Sequence, residues 1–477
     1  MQPLYKSCYP LDNRCYEEYN LTEDILMEHA SMGMANYIKQ NFKQNSSVLI
    51  VCGVGNNGAD GIVLARQLQD SYNIKLYLPF GVRSSMAEVQ LERVESLDIE
   101  FIDEVQEADV IVDAIFGAGL NRELNEPTRR LILEIEELDG FKIACDVPTG
   151  IDVDGNPLPM ALFCDVTITM GALKECLYSD MAKDYVGDII CVDLGLSHTK
   201  YTQWFETDIF LLDETDMKLP VRKRKNSHKG NFGHLAVIVG EKEGAGIMSA
   251  MAGLRFGAGL VTIVKRRKLE TSLPLSLMQN SYIPDNSTAI VIGMGLGRSI
   301  EDDDILNYMF DKKASFVIDA DMFYWENILE ILETKDREIV LTPHPKEFVS
   351  LWNMTIDSPL NIALLQANRF EKVREFCEFF PHVTLLLKGS NMIIAQDNRL
   401  FVNPHGASNL SKGGSGDVLS GLIGSLLAQG YDGLEATIQA SLAFTAGAKA
   451  YEGATYAMLP TDLIEEIGKL EKDSSTV

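Results

Sequence analysis

The feature that most constrains the fold of this chain is an alternation of short apolar runs with stretches of helical periodicity. The first half contains the apolar runs SVLIVCG, NIKLYLPF, ADVIVDAIFG, KIACDVP, DVTITMG and GDIICVDLG, and helical patterns lie at residues 61–69 and 127–138. Apolar strands that alternate with helices form βαβ units on a mostly parallel sheet. The first half is therefore predicted to be an α/β domain with a Rossmann-like three-layer arrangement.

The second half repeats this alternation with different spacing. Its apolar runs are HLAVIVG, LVTIVK, AIVIGMG, SFVIDAD, EIVLTP and TLLLKGS, and helical patterns lie at residues 246–256, 361–379, 417–428 and 434–451. The same argument predicts a second α/β domain. A length of 477 residues also suits two or three domains rather than one.

A polar, basic and glycine-bearing segment, KLPVRKRKNSHKGNFG, separates the two halves. We expect its run of like charges to be the solvated face of a linker. The boundary is therefore placed near residues 205–225. We predict an N-terminal domain over residues 1–210, a linker over 211–225 and a C-terminal domain over 226–477.

Charge and cysteine usage limit the partners and the compartment. A net charge of -27 argues against nucleic acid and anionic membrane surfaces as partners, although local N–H groups can still hold an anionic ligand. The N-terminus lacks a signal-peptide pattern, and no apolar run reaches membrane-spanning length. Eight cysteines are scattered without CxxC spacing, so we expect core residues in a reducing cytoplasm.

Three polar loops follow apolar strands in the first half. VCGVGNNGADG contains two asparagines and Asp60, DAIFGAGLNR begins with Asp113, and ACDVPTGID contains Asp146. Ligand groups cluster at the carboxyl ends of strands in such sheets. Asp113 and Asp146 are then candidates for a cation ligand and an acid–base residue respectively. The first loop alone is equally consistent with an ordinary Asn-Gly turn.

The motifs GVGNNGADG, DAIFGAG and DVPTGID, in that order over residues 1–205, resemble the NAD(P)H-hydrate epimerase family. The resemblance implies epimerisation at the hydrated carbon of the nicotinamide ring, with a K⁺ ion held by Asn57, Asp113 and Thr149. With the acid–base role above, Asp146 is the catalytic candidate. The implied substrate contacts are Asn56, Asn57, Gly58, Ala59, Asp60, Gly117, Ala118, Gly119, Leu120, Asn121, Arg122, Glu123 and Asp146.

Two residues depart from that family pattern. Ala59 and Ser31 stand where glycine is usual, and alanine would strain a backbone that needs a positive φ. Neither departure removes an implied ligand, so both bear on the activity of this half rather than on its fold. Lys174, in GALKE, is a weaker candidate for proton transfer, because a solvated surface lysine is the commoner case.

A glycine-rich loop, SKGGSGDVLSG, opens a helical pattern near the end of the second half. Its glycines leave backbone N–H groups unobstructed, and the positive end of the helix points at any anion held there. Asp417 can accept a proton from a substrate hydroxyl. The structural alternative is a glycine-rich helix start that packs closely on a strand.

Other strand ends of the second half carry similar loops. KGSNM places a cation, Lys388, at a glycine turn suited to nucleotide phosphates, and TPHPKEF places His344 near Glu347. GMGLG is a further glycine turn. Each alone is compatible with a surface turn or a structural histidine, whereas together they indicate one crevice.

The segments GAGIMSAMAGLRFGAGLV, GMGLG, IDAD, TPHPKEF, KGSNM and NLSKGGSGDVLSG, over residues 220–470, resemble the ADP/ATP-dependent NAD(P)H-hydrate dehydratase family. The resemblance implies a ribokinase-like fold with Asp417 as a contact to the hydrated cofactor. The other implied cofactor contacts are Ala245, Gly295 and His344. The implied nucleotide-binding residues are Lys388, Gly389, Ser390, Asn391, Met392 and Gly416.

This half also departs from its family pattern at three positions. Met294 replaces a usual proline, Lys346 replaces a glycine, and Met392 replaces a threonine. The last change removes one hydroxyl from the nucleotide site. Loss of one neutral hydrogen bond costs on the order of 1 kcal/mol, so weaker nucleotide binding is expected rather than none.

The combined interpretation is a bifunctional enzyme that repairs hydrated NADH and NADPH. An isomerase domain interconverts the R and S epimers, and a lyase domain dehydrates the S epimer after phosphorylation by ADP, with Asp417 as base. We expect K⁺ in the first domain, Mg²⁺ with the nucleotide, a cytoplasmic location and a homo-oligomer. The alternatives are a ribokinase-like kinase of a vitamin alcohol, and a non-catalytic ligand sensor on degenerate domains.

Overall fold

The computed structural model describes residues 1–297, 310 and 312–470. They form two compact units: the first is Pro3–Thr207, and the second is Asp208–Val477 together with Met1–Gln2. The division lies three residues before the predicted end of the first domain at residue 210. Residues 471–477, which the prediction gave to the second domain, lie outside the described residues.

The first unit is built on a seven-stranded parallel sheet with the order β4-β3-β2-β5-β6-β7-β8. A two-residue strand, β1, spans Gln2–Pro3 at the start of the chain. The strands of the sheet are β2 Ser47–Cys52, β3 Asn73–Tyr77, β4 Glu100–Ile102, β5 Val110–Ala114, β6 Phe141–Cys145, β7 Val166–Met170 and β8 Asp188–Val192.

Both faces of this sheet are covered, which explains its continuous apolar strands. In β2, Val48 and Ile50 pack in one apolar cluster, whereas Leu49 and Val51 pack in another on the opposite face. The helices of the unit are Tyr9–Tyr19, Glu23–Asn41, Asn56–Leu68, Ser85–Val94, Glu126–Glu136, Lys183–Val186 and His198–Thr202. The predicted three-layer α/β arrangement is confirmed.

The second unit contains a larger mixed sheet. Among the described residues its strands run in the order β1-β9-β18-β17-β16-β15-β14-β13-β10-β11-β12, and β17 is antiparallel to both of its neighbours. The strands are β9 Ile209–Leu211, β10 His234–Ile238, β11 Leu260–Val264, β12 Met278–Asn280, β13 Ala289–Ile292, β14 Ser315–Ile318, β15 Ile339–Leu341, β16 Val383–Leu387, β17 Met392–Gln396 and β18 Arg399–Asn403.

Strand β9 overlaps the start of the predicted linker. It pairs with β18 through Ile209, Phe210 and Leu211, so the predicted linker of residues 211–225 begins inside a strand of the second unit. Leu211 and Leu212 are buried, because apolar residues at a sheet edge can pack on the core beneath it. The basic residues 222–225 are exposed, as expected for a solvated segment.

The helices of the second unit cover its sheet and supply its largest apolar cluster. Two of them, Glu243–Arg255 and Ser415–Ala428, pack against each other and on β10 and β13. The pattern predicted over residues 361–379 is broken at Asn368, whose φ of -139° ends one helix and begins the next. The other described helices are Ile328–Leu332, Pro345–Thr355, Ile362–Ala367, Arg369–Phe379, Gly433–Ala450 and Pro460–Ile467.

All eight cysteines are unpaired, and all except the half-buried Cys191 are buried. Burial raises the pKa of every one of these thiols above its ordinary value. This is the behaviour of small core residues. Among the described residues, no helix combines the length and apolar composition that a membrane crossing requires.

Candidate functional sites

In the first unit, the loops after β2 and β5 and the end of β6 surround a cavity of about 630 Å³. The predicted substrate contacts Asn56, Asn57, Asp60 and Asp146 all line it. Residues 117–122 line it too, as predicted from the second loop. Gly58, Ala59 and Glu123, which the resemblance also implied, are not among the lining residues.

The glycines of the first loop allow its backbone segments to pack closely against each other. A Cβ atom on Gly58 would lie 1.9 Å from the carbonyl oxygen of Gly53, so only glycine fits there. Ala59 is buried inside the helix Asn56–Leu68 and does not have a positive φ, so the expected backbone strain is absent. Ser31 donates a hydrogen bond to the carbonyl oxygen of Asp60 at 2.8 Å. Neither departure from the family pattern disturbs this loop.

Asp146 and Lys174 form a buried ion pair at the floor of the cavity. Lys174 Nζ lies 2.5 Å from Asp146 Oδ1, and it also donates to Thr169 Oγ1 at 2.9 Å and to the Met170 carbonyl at 3.2 Å. Lys174 is 3% exposed, so the expectation of a solvated surface lysine is wrong. Burial is the largest single influence and lowers the pKa of Lys174, but the charge and hydrogen bond of Asp146, together with Cys8 and Cys176, give a net rise.

The backbone at Asp146 is strained. Its φ is 71°, a left-handed value that costs a non-glycine residue free energy. Lys174, Thr169 Oγ1 at 3.1 Å and the Met170 N–H at 3.1 Å all donate to Asp146 Oδ1. These contacts hold the strained residue, and its Oδ2 is turned toward Gly117, on which a Cβ atom would lie 3.6 Å from that oxygen. Such strain is typical of functional positions.

A second carboxylate, Asp113, lies at the end of β5. Its Oδ1 accepts from Thr149 Oγ1 at 2.6 Å, and its Oδ2 accepts from the Thr149 N–H at 2.7 Å. Burial raises the pKa of Asp113 to about 6, and no described lysine, arginine or histidine forms an ion pair with it. Asn57 Nδ2 is buried without a partner among the described residues. The predicted set of Asn57, Asp113 and Thr149 supplies oxygen atoms suited to a hard cation.

Two further acids of this cavity, Asp12 and Glu23, were not predicted from the sequence. Asp12, on the helix Tyr9–Tyr19, lines the cavity and accepts a hydrogen bond from the Tyr201 hydroxyl at 2.7 Å. The two residues are 189 positions apart, so no local pattern could connect them.

In the second unit, the helix Ser415–Ala428 begins at the predicted glycine loop. Gly414 has a φ of 98°, which glycine adopts without strain. Asp417 lies in the first helical turn. Burial and the nearby charge of Asp319 raise the pKa of Asp417 to about 6, while Lys388 acts in the opposite direction. Asp417 is therefore ionised at neutral pH and can accept a proton.

Lys388 is held beside this helix by Asp319, at the end of β14. Lys388 Nζ lies 2.7 Å from Asp319 Oδ1, and Ser420 Oγ donates to Asp319 Oδ2 at 2.6 Å. A Cβ atom on Gly416 would lie 3.3 Å from Lys388 Nζ, so the ammonium sits directly against the helix start. The backbone next to Asp319 is strained, since Ala320 has a φ of 49°.

Arg369, which no sequence motif indicated, supports the predicted nucleotide loop after β16 through hydrogen bonds to its backbone. Arg369 Nη2 donates to the carbonyls of Lys388 at 3.3 Å and Asn391 at 3.2 Å. Gly389 and Ser390 between them are exposed. Met392 is 4% exposed and packs in the apolar cluster of the unit, so only its backbone is left to contact a nucleotide.

The remaining predicted residues are His344, which follows β15, Gly295, which follows β13, and Ala245, in the helix Glu243–Arg255. His344 Nδ1 accepts from the N–H groups of Lys346 and Glu347, and its Nε2 lies 3.1 Å from Glu347 Oε1, so the histidine caps the helix Pro345–Thr355. Gly295 adjoins Ala245, because a Cβ on Gly295 would lie 3.3 Å from that of Ala245. Gly295 has a φ of 57° and therefore needs to be glycine.

Comparison with known proteins gives a consistent result for both units. The family described as NAD(P)H-hydrate dehydratase matches residues 235–469, and the family of YjeF-related protein N-termini matches residues 23–176. A solved structure of the ADP/ATP-dependent NAD(P)H-hydrate dehydratase from Bacillus subtilis, co-crystallized with ATP/Mg²⁺, is 21% identical, with a TM-score of 0.46; the match covers 55% of this chain and 98% of that one.

Full-length relatives carry both units. The bifunctional NAD(P)H-hydrate repair enzyme Nnr of Helicobacter pylori is 39% identical, over 98% of this chain and 100% of its own length. The enzyme of the same name from Escherichia coli is 30% identical, over 88% of this chain and 84% of its own. With this identity over both units, the chain belongs to the family of bifunctional NAD(P)H-hydrate repair enzymes.

Proposed function

We propose that this chain repairs hydrated NADH and NADPH through two successive reactions. The first unit interconverts the R and S epimers at the hydrated ring carbon, and the second dehydrates the S epimer at the expense of ADP. The observation that carries the proposal is that the chain is a full-length family member in which each unit contains charged residues grouped at its predicted site. These are the Asp146–Lys174 pair in the first unit, and Asp417 beside the Asp319–Lys388 pair in the second.

In the dehydration, Asp417 accepts the proton of the ring hydroxyl, and the hydroxyl oxygen attacks the terminal phosphorus of ADP. The backbone N–H groups at the start of the helix Ser415–Ala428 stabilise charge on the phosphoryl group in transit. Lys388, beside Gly416, supplies a cation to the phosphates. Departure of the phosphate, with loss of a proton from the neighbouring ring carbon, restores the double bond.

In the epimerisation, Asp146 is the proton acceptor. The hydrated carbon bears both a hydroxyl and the ring nitrogen, so inversion requires the carbon–oxygen bond to break and to form again on the other face. The ammonium of Lys174 fixes one of the carboxylate oxygens of Asp146. The other oxygen is available to remove a proton from the arriving water.

We also propose a K⁺ ion held by Asn57, Asp113 and Thr149. Support comes from the buried Asp113 carboxylate, which has no cationic partner among the described residues, and from the neutral oxygens around it. A bound K⁺ would neutralise Asp113 and fix the loop that carries Gly117. Asp113→Asn should make epimerisation slow and insensitive to K⁺. An unchanged response to K⁺ titration would remove Asp113 from the ion site.

Three further properties belong to the proposal. Mg²⁺ accompanies the nucleotide and screens phosphate charge, as co-crystallisation of the Bacillus subtilis dehydratase with ATP/Mg²⁺ supports. A reducing cytoplasm suits eight unpaired cysteines. A homo-oligomer is expected, and light scattering of the eluting chain on a sizing column tests it.

One assay tests the proposed function directly. Hydrated NADH is prepared as a mixture of both epimers, ADP or ATP is added, and the absorbance of regenerated NADH is followed. Complete recovery supports two active units, and recovery of the S epimer alone indicates an inactive first unit. A phosphate ester that accumulates without NADH would indicate a small-molecule kinase. No reaction with either nucleotide would overturn the proposal.

A further inference from the structure

Asp12 is one of the acids that line the cavity containing the Asp146–Lys174 pair, together with Glu23 and Asp60. Asp12 and Asp146 both line it, although they come from the first helix and from the end of β6. Asp12 lies before residue 23, where the family match begins, and its partner Tyr201 lies after residue 176, where that match ends. The family match therefore does not account for this pair.

The hydrogen bonding of Asp12 differs from that of Asp146. Asp146 Oδ1 receives three donors, one of them an ammonium. Asp12 Oδ1 receives a single donor, the Tyr201 hydroxyl at 2.7 Å, and no described residue donates to its other oxygen. A proton carried by Asp12 therefore resides on the oxygen that is free to meet a ligand in the cavity.

Inversion at this carbon needs one group that donates a proton and another that accepts one. When the carbon–oxygen bond breaks, the departing hydroxyl needs a proton, and when water adds on the other face it must lose one. The paired carboxylate of Asp146 can accept the second proton but has none to give for the first. The proposed epimerase therefore requires a proton donor within the same cavity.

We propose that Asp12 is the general acid of epimerisation and that Tyr201 is its positioning residue. The inference rests on the proposed epimerase function. Asp12 transfers its proton to the ring hydroxyl, the carbon–oxygen bond breaks, and the ring nitrogen shares its lone pair with the carbon as water leaves. Water then adds on the opposite face and gives its proton to Asp146. Solvent exchange returns the proton to Asp12.

The surroundings of Asp12 favour the protonated carboxyl. Burial raises its pKa, the Tyr201 hydroxyl and Lys174 lower it, and Asp146 and Glu23 raise it, with a net shift upward. Two cations are near this segment: Arg14, on the same helix, pairs with Glu18 and donates to the Lys200 carbonyl, and Lys6, which lines the cavity, pairs with Asp154. Neither is among the groups that most shift the pKa of Asp12. Cys8, Cys15 and Tyr16 have pKa values that are themselves raised by burial, so these groups are neutral near pH 7.

The test measures epimer exchange without ADP. The R epimer that remains after consumption of the S epimer is incubated with the full chain, and formation of the S epimer is followed by chromatography. The Asp12→Asn chain should lose about 10²-fold or more of the wild-type rate at every pH. Repair of the S epimer by the same sample with ADP shows that the protein is folded. Asp70→Asn, the same change at an exposed aspartate of this unit, should leave exchange unchanged.

The pH profile separates an acid from a merely structural residue. Wild-type exchange should fall as pH rises through the pKa of Asp12, because the acid is then deprotonated. Tyr201→Phe removes the hydrogen bond that favours the carboxylate of Asp12. The pKa of Asp12 should then rise, and the fall in exchange rate should move to higher pH. The inference would be overturned by an Asp12→Asn chain whose exchange rate stays within threefold of wild type and falls over the same pH range. A wild-type chain without exchange above the spontaneous rate would overturn the epimerase function itself.

Discussion

Each unit contains a buried lysine–aspartate pair near the carboxyl edge of its sheet, but the two pairs face their ligands with opposite charges. In the first unit the lysine is hidden: the side chain of Lys174 is 4% exposed and that of Asp146 is 16% exposed. In the second unit the order is reversed, at 21% for Lys388 and 2% for Asp319. The same ion pair can therefore present a carboxylate for proton transfer or an ammonium for phosphate, depending on which partner is buried.

The two units also differ in whether the proposed base belongs to the lysine–aspartate pair. In the first unit the proposed proton acceptor, Asp146, is itself a member of the ion pair, whereas in the second unit the proposed base, Asp417, lies outside the pair. Asp417→Asn should therefore lower dehydration by about 10³-fold while leaving the Lys388–Asp319 pair and nucleotide binding intact. Stopped assays of NADH recovery and calorimetric titration with ADP measure the two quantities. A variant that still repairs the S epimer would show that another group is the base.

Removal of the hidden lysine should have the next largest effect. Lys174→Met leaves Asp146 charged and strained without its partner, so the free energy of unfolding of the first unit should fall by about 3–5 kcal/mol. Urea unfolding followed by circular dichroism checks this, with Lys39→Met, an exposed lysine of the same unit, as the control. A small loss of stability, with epimerisation intact, would contradict the proposed role of the pair.

Removal of the exposed lysine should act on the ligand instead. Lys388→Met deletes a charged hydrogen-bond donor worth about 2 kcal/mol, so the Kd for ADP should rise roughly 30-fold. The same titration measures it, and Lys412→Met, at the start of the glycine loop, is the matched control. Equal losses from both variants would show that charge near the loop matters in general, rather than the lysine held by Asp319.

The buried aspartate of the second unit should tune the pH profile. Because Asp417 must be ionised and its pKa is raised to about 6, dehydration should rise with pH through about 6 and then level off. The charge of Asp319 contributes to that rise in pKa, so Asp319→Asn should move the limb toward lower pH. The pH dependence of kcat measures it. An unchanged pH dependence of kcat in this variant would show that Asp319 does not affect the pKa of Asp417.

The smallest effect on ADP binding is expected at Met392. Its side chain packs in the apolar cluster, so Met392→Thr should leave the Kd for ADP within about twofold, while the lost packing lowers the free energy of unfolding by about 2 kcal/mol or more. This differs from the sequence expectation of a hydroxyl missing from the nucleotide site. Tighter binding of ADP by the variant would restore that expectation.

Local pattern was sufficient for the framework of both sites. Apolar runs located the strands, and the loops after them placed Asp113, Asp146, Lys388 and Asp417 at strand ends or helix starts. Those features follow from residues that are adjacent in the sequence. The sequence also identified the departure at Ala59, but only the helical backbone there shows that no strain results.

The rest depended on contacts between distant segments. The Asp12–Tyr201 hydrogen bond joins residues 189 positions apart, and the Lys388–Asp319 pair joins residues 69 apart. Lys174 looked like an ordinary surface lysine because its ion-pair partner, Asp146, is 28 positions away in the sequence. Strand β9 was not predicted, because three residues are too few for a clear pattern; the prediction gave Ile209 and Phe210 to the first domain and Leu211 to the linker.

The distribution of the cysteines gives this protein a built-in reporter of local opening. Seven lie in the first unit and one, Cys377, lies in the second, and every thiol has a raised pKa. Since thiolates react with alkylating agents and peroxides, the folded chain should react slowly and each unit should become reactive only as it opens. Mass-resolved alkylation would then time the opening of the two units separately, without any introduced label.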